Sequence, residues 1–185
     1  MSEEPGPPRR APLGLLVQII RLKASPADLP ASPVLFVLVL ALNLLVSIYY
    51  LSSVPAQEPY GRFLFSVAFG LLLTWALLRL WRREARFLQT VIAMSGTDAL
   101  MTIALLPLTL LLQQQIAVDP SSAQAQLLSL AWIVVLIWNL IVSGHILRCA
   151  LELPLLAGVG LALSLFIIQI MLGQLLFGVP AATGT

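Results

Sequence analysis

The chain has 185 residues, of which 59% are hydrophobic and 10% charged, and its formal net charge is +2. Soluble domains carry about 25% charged and roughly 45–50% apolar residues, and a fold of this length has too little interior to hide the excess. The composition excludes an ordinary water-soluble domain and makes a lipid bilayer the main solvent; so small a net charge gives no reason to expect nucleic-acid binding.

The amino-terminal segment, residues 1–32, carries Arg9 and Arg10 ahead of a short apolar run over 13–20. Gln18, Arg21 and Lys23 interrupt or close that run and no convincing cleavage site follows, so it does not read as a cleaved signal. Leu13, Leu16, Val17 and Ile20 share one face at helical spacing, with Gln18, Arg21 and Lys23 toward the other. This predicts a short amphipathic helix in the membrane interface, its cations near anionic headgroups. Ser25-Pro26 with Asp28 is a helix start: a capping hydroxyl, a proline at the first position and an acid in the first turn. Ser32-Pro33 repeats the signal.

A hydrocarbon core about 30 Å thick needs roughly 20 apolar residues per helix. Residues 33–51, 63–81, 88–112, 127–147 and 154–177 qualify. The expected fold is all-α: a polytopic transmembrane bundle of about five spans over residues 33–178, followed by a short tail, 179–185. The third span is the least apolar, because of Gln89, Thr97, Asp98, Thr102 and Pro107.

With the amino terminus inside, the cytoplasmic segments hold Arg9, Arg10, Arg21, Lys23, Arg79, Arg82, Arg83, Arg86 and Arg148, and the other side holds only Arg62. Such asymmetry predicts a cytoplasmic amino terminus and a carboxyl terminus opposite. Tyr49, Tyr50 and Tyr60 fall near the outer interface, and Trp81 and Phe87 bracket the inner one. The composition and small loops suggest a bacterial inner membrane.

Polar residues inside the spans are the candidates for a site. Asp98 lies about 18 Å beyond Arg86 at 1.5 Å per residue, near mid-membrane. An aspartate there costs about 2.5–3.5 kcal/mol by insertion scales, so it should face the bundle and find a partner. Ser95 and Thr102 share its helical face. Asn43, Asn139 and Gln169 fall at similar depths, so a buried polar layer of Asn43, Asp98, Thr102, Asn139 and Gln169 is expected. Two roles stand open for Asp98: a protonatable or ion-binding group, or a cross-helix hydrogen bond that fixes register. The lack of a second acid or an intramembrane cation favours the structural role.

Pro107 frees the carbonyl of Ile103 and predicts a kink in the third span. Gly158 with Ala162, and Gly160 with Ser164, have the spacing for close packing, more naturally within the bundle than between protomers. His145 and Cys149 are four apart, but the chain has no other histidine or cysteine, so neither a metal site nor an internal disulfide is expected. Arg148 and Glu152, also four apart, suggest an ion pair. Arg21, Lys23, Arg79, Arg82, Arg83 and Arg86 form a candidate surface for anionic lipid or an acidic partner. There is no phosphate-cradling glycine loop, HExxH or GxSxG, and no cofactor or enzymatic activity is expected.

Three segments carry a family resemblance: LKASPADLPASPVL (22–35), SGTDALMTIALLPL (95–108) and WIVVLIWNLIVSGHIL (132–147). Together with the five-span order they resemble the Yip-domain family in its compact bacterial form, and Asp28-Leu29 followed by Pro33 loosely matches that family's DLYGP motif. The resemblance implies the five-span fold and a non-enzymatic role organising or escorting membrane components; it names no catalytic residue. The function expected first is therefore an adaptor, scaffold or assembly factor binding other membrane proteins or lipids, with a homo-oligomer as a further arrangement. The alternative is a small transporter or channel subunit built on the Asp98 layer.

Overall fold

A computed structural model describes residues 11–53 and 60–178; Arg9, Arg10 and the tail 179–185 lie outside the described residues. Six helices follow one another: α1 (Pro12–Ile20), α2 (Pro33–Ser53), α3 (Tyr60–Leu80), α4 (Phe87–Val118), α5 (Ala123–Leu151) and α6 (Leu155–Phe177). Single 3-10 turns at Pro26–Asp28 and Glu84–Arg86 complete the secondary structure, and no strand occurs among the described residues. The last five helices are long and apolar enough to cross a bilayer. The fold is a multi-pass α-helical membrane protein.

Helix starts follow the sequence signals. Ser25 and Asp28 form a reciprocal capping box, the serine Oγ accepting from Ala27 N at 3.2 Å and the aspartate Oδ2 from Ser25 N at 2.7 Å. Ser32 Oγ accepts from Leu35 N at 3.3 Å and opens α2, and Ser122 Oγ accepts from Ala125 N at 3.2 Å and opens α5. Among the described residues only α6 ends at a glycine with positive φ, Gly178 at 75°, and three other helix ends carry no such signal. Leu22, Arg82 and Glu152, at the ends of α1, α3 and α5, take left-handed φ of 60°, 56° and 59°, a conformation ordinarily left to glycine. Each is followed by an amide that reaches back five residues: Lys23 to Gln18, Arg83 to Leu78 and Leu153 to Arg148. Those bonds satisfy terminal carbonyls and offset a cost of about 1–2 kcal/mol per left-handed side chain.

Two helices outrun the expected spans. At 32 and 29 residues, α4 and α5 are about 48 and 44 Å long, well beyond the hydrocarbon core. Hydropathy located their apolar stretches, but Gln113–115, Gln124 and Gln126 continue the helices up to a tight turn at Asp119 and Ser121. Pro107 lies inside α4 without ending it.

The spans are ordered in space differently from the chain. Among the described residues α2 packs on α4, α4 on α5, α5 on α6 and α6 on α3, with α3 also touching α4, whereas α2 and α3 share no packed seam. α5 and α6 approach most closely where Gly144 faces Val159 and Gly158 faces the Gly144 carbonyl. Gly158 and Ala162 are both buried, as the intramolecular reading of their spacing expects, while Gly160 and Ser164 remain exposed.

α1 is not laid out as its periodicity suggests. Leu15, Leu16 and Ile19 are buried in one core with Ile92, Ala93, Val142 and Ile146 of α4 and α5, while Leu13 and Val17 stay exposed. Leu16 fits because Gly96 lacks a Cβ, which would fall 2.7 Å from its Cδ1. The expected apolar face is therefore split between the bundle and the surroundings. The strap after α1 is held by side chains from below: His145 Nε2 donates to the Ala24 carbonyl at 2.8 Å, and Gln89 Nε2 donates to the carbonyls of Ala27 and Leu29 at 3.1 and 2.7 Å. His145 Nε2 thus has a backbone partner, with the Cys149 sulfur 3.9 Å away.

Candidate functional site: a polar cavity inside the bundle

All five residues of the expected polar layer line one cavity of about 560 Å³ between the five spans: Asn43 from α2, Asp98 and Thr102 from α4, Asn139 from α5 and Gln169 from α6. Such a volume lies within the roughly 300–1,000 Å³ typical of small-molecule sites. Asp98 retains accessible surface although it sits mid-helix in the bundle, and it lines this cavity. Among the described residues it is the only ionisable side chain on the wall.

The carboxylate is fixed by its neighbours. Asn43 Nδ2 donates to Asp98 Oδ2 at 2.9 Å and to the Ser95 carbonyl at 3.0 Å, so one amide ties α2 to α4. The Asn139 amide approaches the same carboxylate, and Ser143 Oγ meets Asn139 Oδ1 at 3.5 Å. Across the cavity Gln169 Nε2 donates to the Ser66 carbonyl at 3.2 Å and to the Ser66 hydroxyl, joining α6 to α3. These bonds meet the requirement that buried amides be paired, and they leave Asp98 with acceptor capacity toward the cavity.

Ser66 and Thr74, absent from the expected layer, also line the wall. They lie at four-residue intervals with Gly70 on one face of α3, and that spacing was the signal available for them. Thr74 Oγ1 donates to the Gly70 carbonyl at 2.8 Å, and Gly70 has nothing within 4 Å of where a Cβ would stand. Pro107 lies outside this constellation.

The basic residues divide into two sets. Arg83 makes a two-pronged pair with Glu152. Arg86 donates to the same carboxylate at 2.7 Å and to the carbonyls of Cys149 and Ala150 at 3.1 and 3.2 Å. The two arginines clasp the α3–α4 connection to the end of α5. The expected pairing of Arg148 with Glu152 is not among these ion pairs, because the left-handed backbone of Glu152 takes its side chain off the helix face that Arg148 shares. Arg21, Lys23, Arg79 and Arg82 remain exposed, with Arg79 over the Trp75 ring at 5.0 Å.

Arg86 first, then Arg83, hold the Glu152 carboxyl below its ordinary value. A lowered folded-state value means that this stabilisation is present above about pH 4.3, the ordinary glutamate value, and is lost as pH falls through the lowered one. Melting curves in detergent should therefore show a small acid-dependent loss, on the order of a few degrees, that is missing from Glu152→Gln. The same loss in the variant would assign it to another group.

Comparison with protein-family models, with curated proteins and with solved structures gives no match.

Proposed function

We propose that this protein binds a cationic group inside the membrane, with Asp98 as the recognising carboxylate and Asn43, Thr102, Asn139 and Gln169 completing the site. The observation that carries this reading is the convergence of all five spans on one cavity whose wall holds a single open carboxylate. Of the two roles open to Asp98, its bond to Asn43 serves the structural one, and its open surface supports the binding one. A carboxylate at this depth is costly while unneutralised, and a cation at about 4 Å would return several kcal/mol at an effective dielectric near 20. The reading places the protein with carriers, channel subunits and escorts rather than with enzymes.

A second role, docking of anionic lipid or of other membrane proteins, is supported by the exposed Arg21, Lys23, Arg79 and Arg82. It draws on a smaller surface than the sequence suggested, since Arg83 and Arg86 serve Glu152. The five-span pattern keeps the resemblance to Yip-domain proteins as a proposal for ancestry. By the positive-inside rule we place the arginine-rich end in the cytoplasm, with a bacterial inner membrane as the host bilayer.

The charge requirement is tested with two ions of one shape. In lipid nanodiscs, tetraphenylphosphonium should bind saturably and tetraphenylborate at least about tenfold more weakly. Equal binding of the two would remove the carboxylate from the recognition.

A further inference from the structure

We infer that the occupant of the cavity is a membrane-dissolved amphiphile, with a cationic head and an apolar body, that enters sideways from the bilayer between α2 and α3. The inference rests on the cation-binding reading and adds the source and the route.

The route follows from the packing order. Among the described residues the seams α2–α4, α4–α5, α5–α6 and α6–α3 are closed, α3 also meets α4, and α2–α3 is the place where the spans around the cavity are not joined. At the arginine-rich end α3 is anchored through Thr74, which reaches Met94 Sδ at 3.8 Å, and through Leu78, buried with Ala150 and Leu151. Toward the other end it leans on α6 instead: Ser66 meets Gln169, and the Phe65 and Phe177 rings lie 5.7 Å apart. Among the described residues nothing comparable ties the middle of α3 to α2, and Gly70, which lines the cavity there, has open space beyond its Cα. Asn43 and Ser47 of α2 and Val67 and Gly70 of α3 all line the cavity, so the unjoined seam borders the space that holds Asp98.

The chemistry of the wall selects the occupant. Beyond the polar layer and the hydroxyls of Ser47, Ser66, Thr74, Ser95 and Ser143, the lining is leucine, valine, methionine and phenylalanine with Gly70 and Ala162. A small hydrated ion would gain little from such surface and would lose its water. An acyl or aromatic body gains by leaving water for such a wall, but an apolar body already dissolved in lipid gains nothing further. Selectivity for a bilayer occupant therefore rests on its head meeting Asp98, with the apolar wall accommodating the rest.

The test uses full-length protein in nanodiscs and two carbodiimides, reagents that add to a carboxyl group and rearrange to a stable N-acylurea. Dicyclohexylcarbodiimide partitions into lipid; the other, a water-soluble carbodiimide bearing a charged tertiary amine, stays in the aqueous phase. Each is applied at pH 5.5 and the Asp98 peptide is examined by mass spectrometry. The lipid-soluble reagent should modify Asp98 at least about tenfold more than the water-soluble one. Gly70→Trp, which puts an indole into the open space beside the seam, should cut that modification several-fold with melting temperature kept. Preferential or equal labelling by the water-soluble reagent overturns the lateral route and leaves the cation-binding reading standing. Labelling by neither overturns both, because the Asp98 carboxyl would then not be open to any ligand. Unchanged labelling in a folded Gly70→Trp variant also overturns the route between α2 and α3.

Discussion

Asp98→Asn is expected to weaken tetraphenylphosphonium binding about a hundredfold while leaving the helical bundle and its melting temperature nearly unchanged. The two outcomes separate because the substitution removes charge and keeps shape. The asparagine Oδ1 can still accept the hydrogen bond from Asn43 Nδ2, which spans 2.9 Å in the native protein, so the tie between α2 and α4 survives. What disappears is attraction for a cation, about 4 kcal/mol at 4 Å and an effective dielectric of 20, less what the cation recovers from the remaining dipoles. A net loss of about 2.7 kcal/mol is a factor of roughly one hundred. Asp98→Ala is the useful contrast, since it also deprives the Asn43 amide of an acceptor and leaves it the Ser95 carbonyl alone; it should lower the melting temperature as well. If Asp98→Asn destabilises the fold as much as Asp98→Ala and leaves probe affinity intact, the carboxylate serves register and not recognition.

Gly158→Ala should be among the most damaging single-methyl additions in this chain. A Cβ at position 158 would lie 2.4 Å from the Gly144 carbonyl oxygen and 3.1 Å from the Arg148 amide nitrogen; one at 144 would lie 2.6 Å from the Val159 Cα. Most of these obstacles are backbone atoms, which cannot turn aside as a side-chain tip does, so the axes of α5 and α6 must part. Overpacking costs about 1–3 kcal/mol even in forgiving cores. A loss near the top of that range, on the order of 10 °C in melting temperature, is expected for Gly158→Ala or Gly144→Ala. Gly160→Ala is the internal control: it is on the same helix with nothing within 4 Å, and alanine favours the helix by about 1 kcal/mol. Equal behaviour of positions 158 and 160 would mean that the α5–α6 crossing is looser than described.

The five spans were legible because crossing a bilayer demands a long apolar run, and that requirement is written in consecutive residues. The polar layer was legible for a related reason: depth is a count along a helix, and Asn43, Asp98, Asn139 and Gln169 are polar residues at matching depths. Ser66 and Thr74 were missed because serine and threonine can satisfy themselves on their own helix, as Thr74 does on Gly70, and so do not announce a partner. Periodicity gave α1 an apolar face but not what that face meets; the partner of Leu16 is Gly96, 80 positions away, recognisable only by what it lacks. The clasp on Glu152 was hidden twice, by its distance from Arg83 and Arg86 along the chain and by a left-handed backbone turn with no glycine to mark it.

The bond between Asn43 and Asp98 has a consequence for biogenesis. Its partners are 55 residues apart in the chain, and the span made between them, α3, does not pack against α2. At roughly 5–20 residues synthesised per second, Asn43 is made about 3–11 seconds before its acid. During that interval the Asn43 amide lacks both acceptors that it has in the folded bundle, the Ser95 carbonyl and the Asp98 carboxylate. It must wait in the insertion machinery, or borrow a polar contact from another membrane protein, until α4 arrives to claim it.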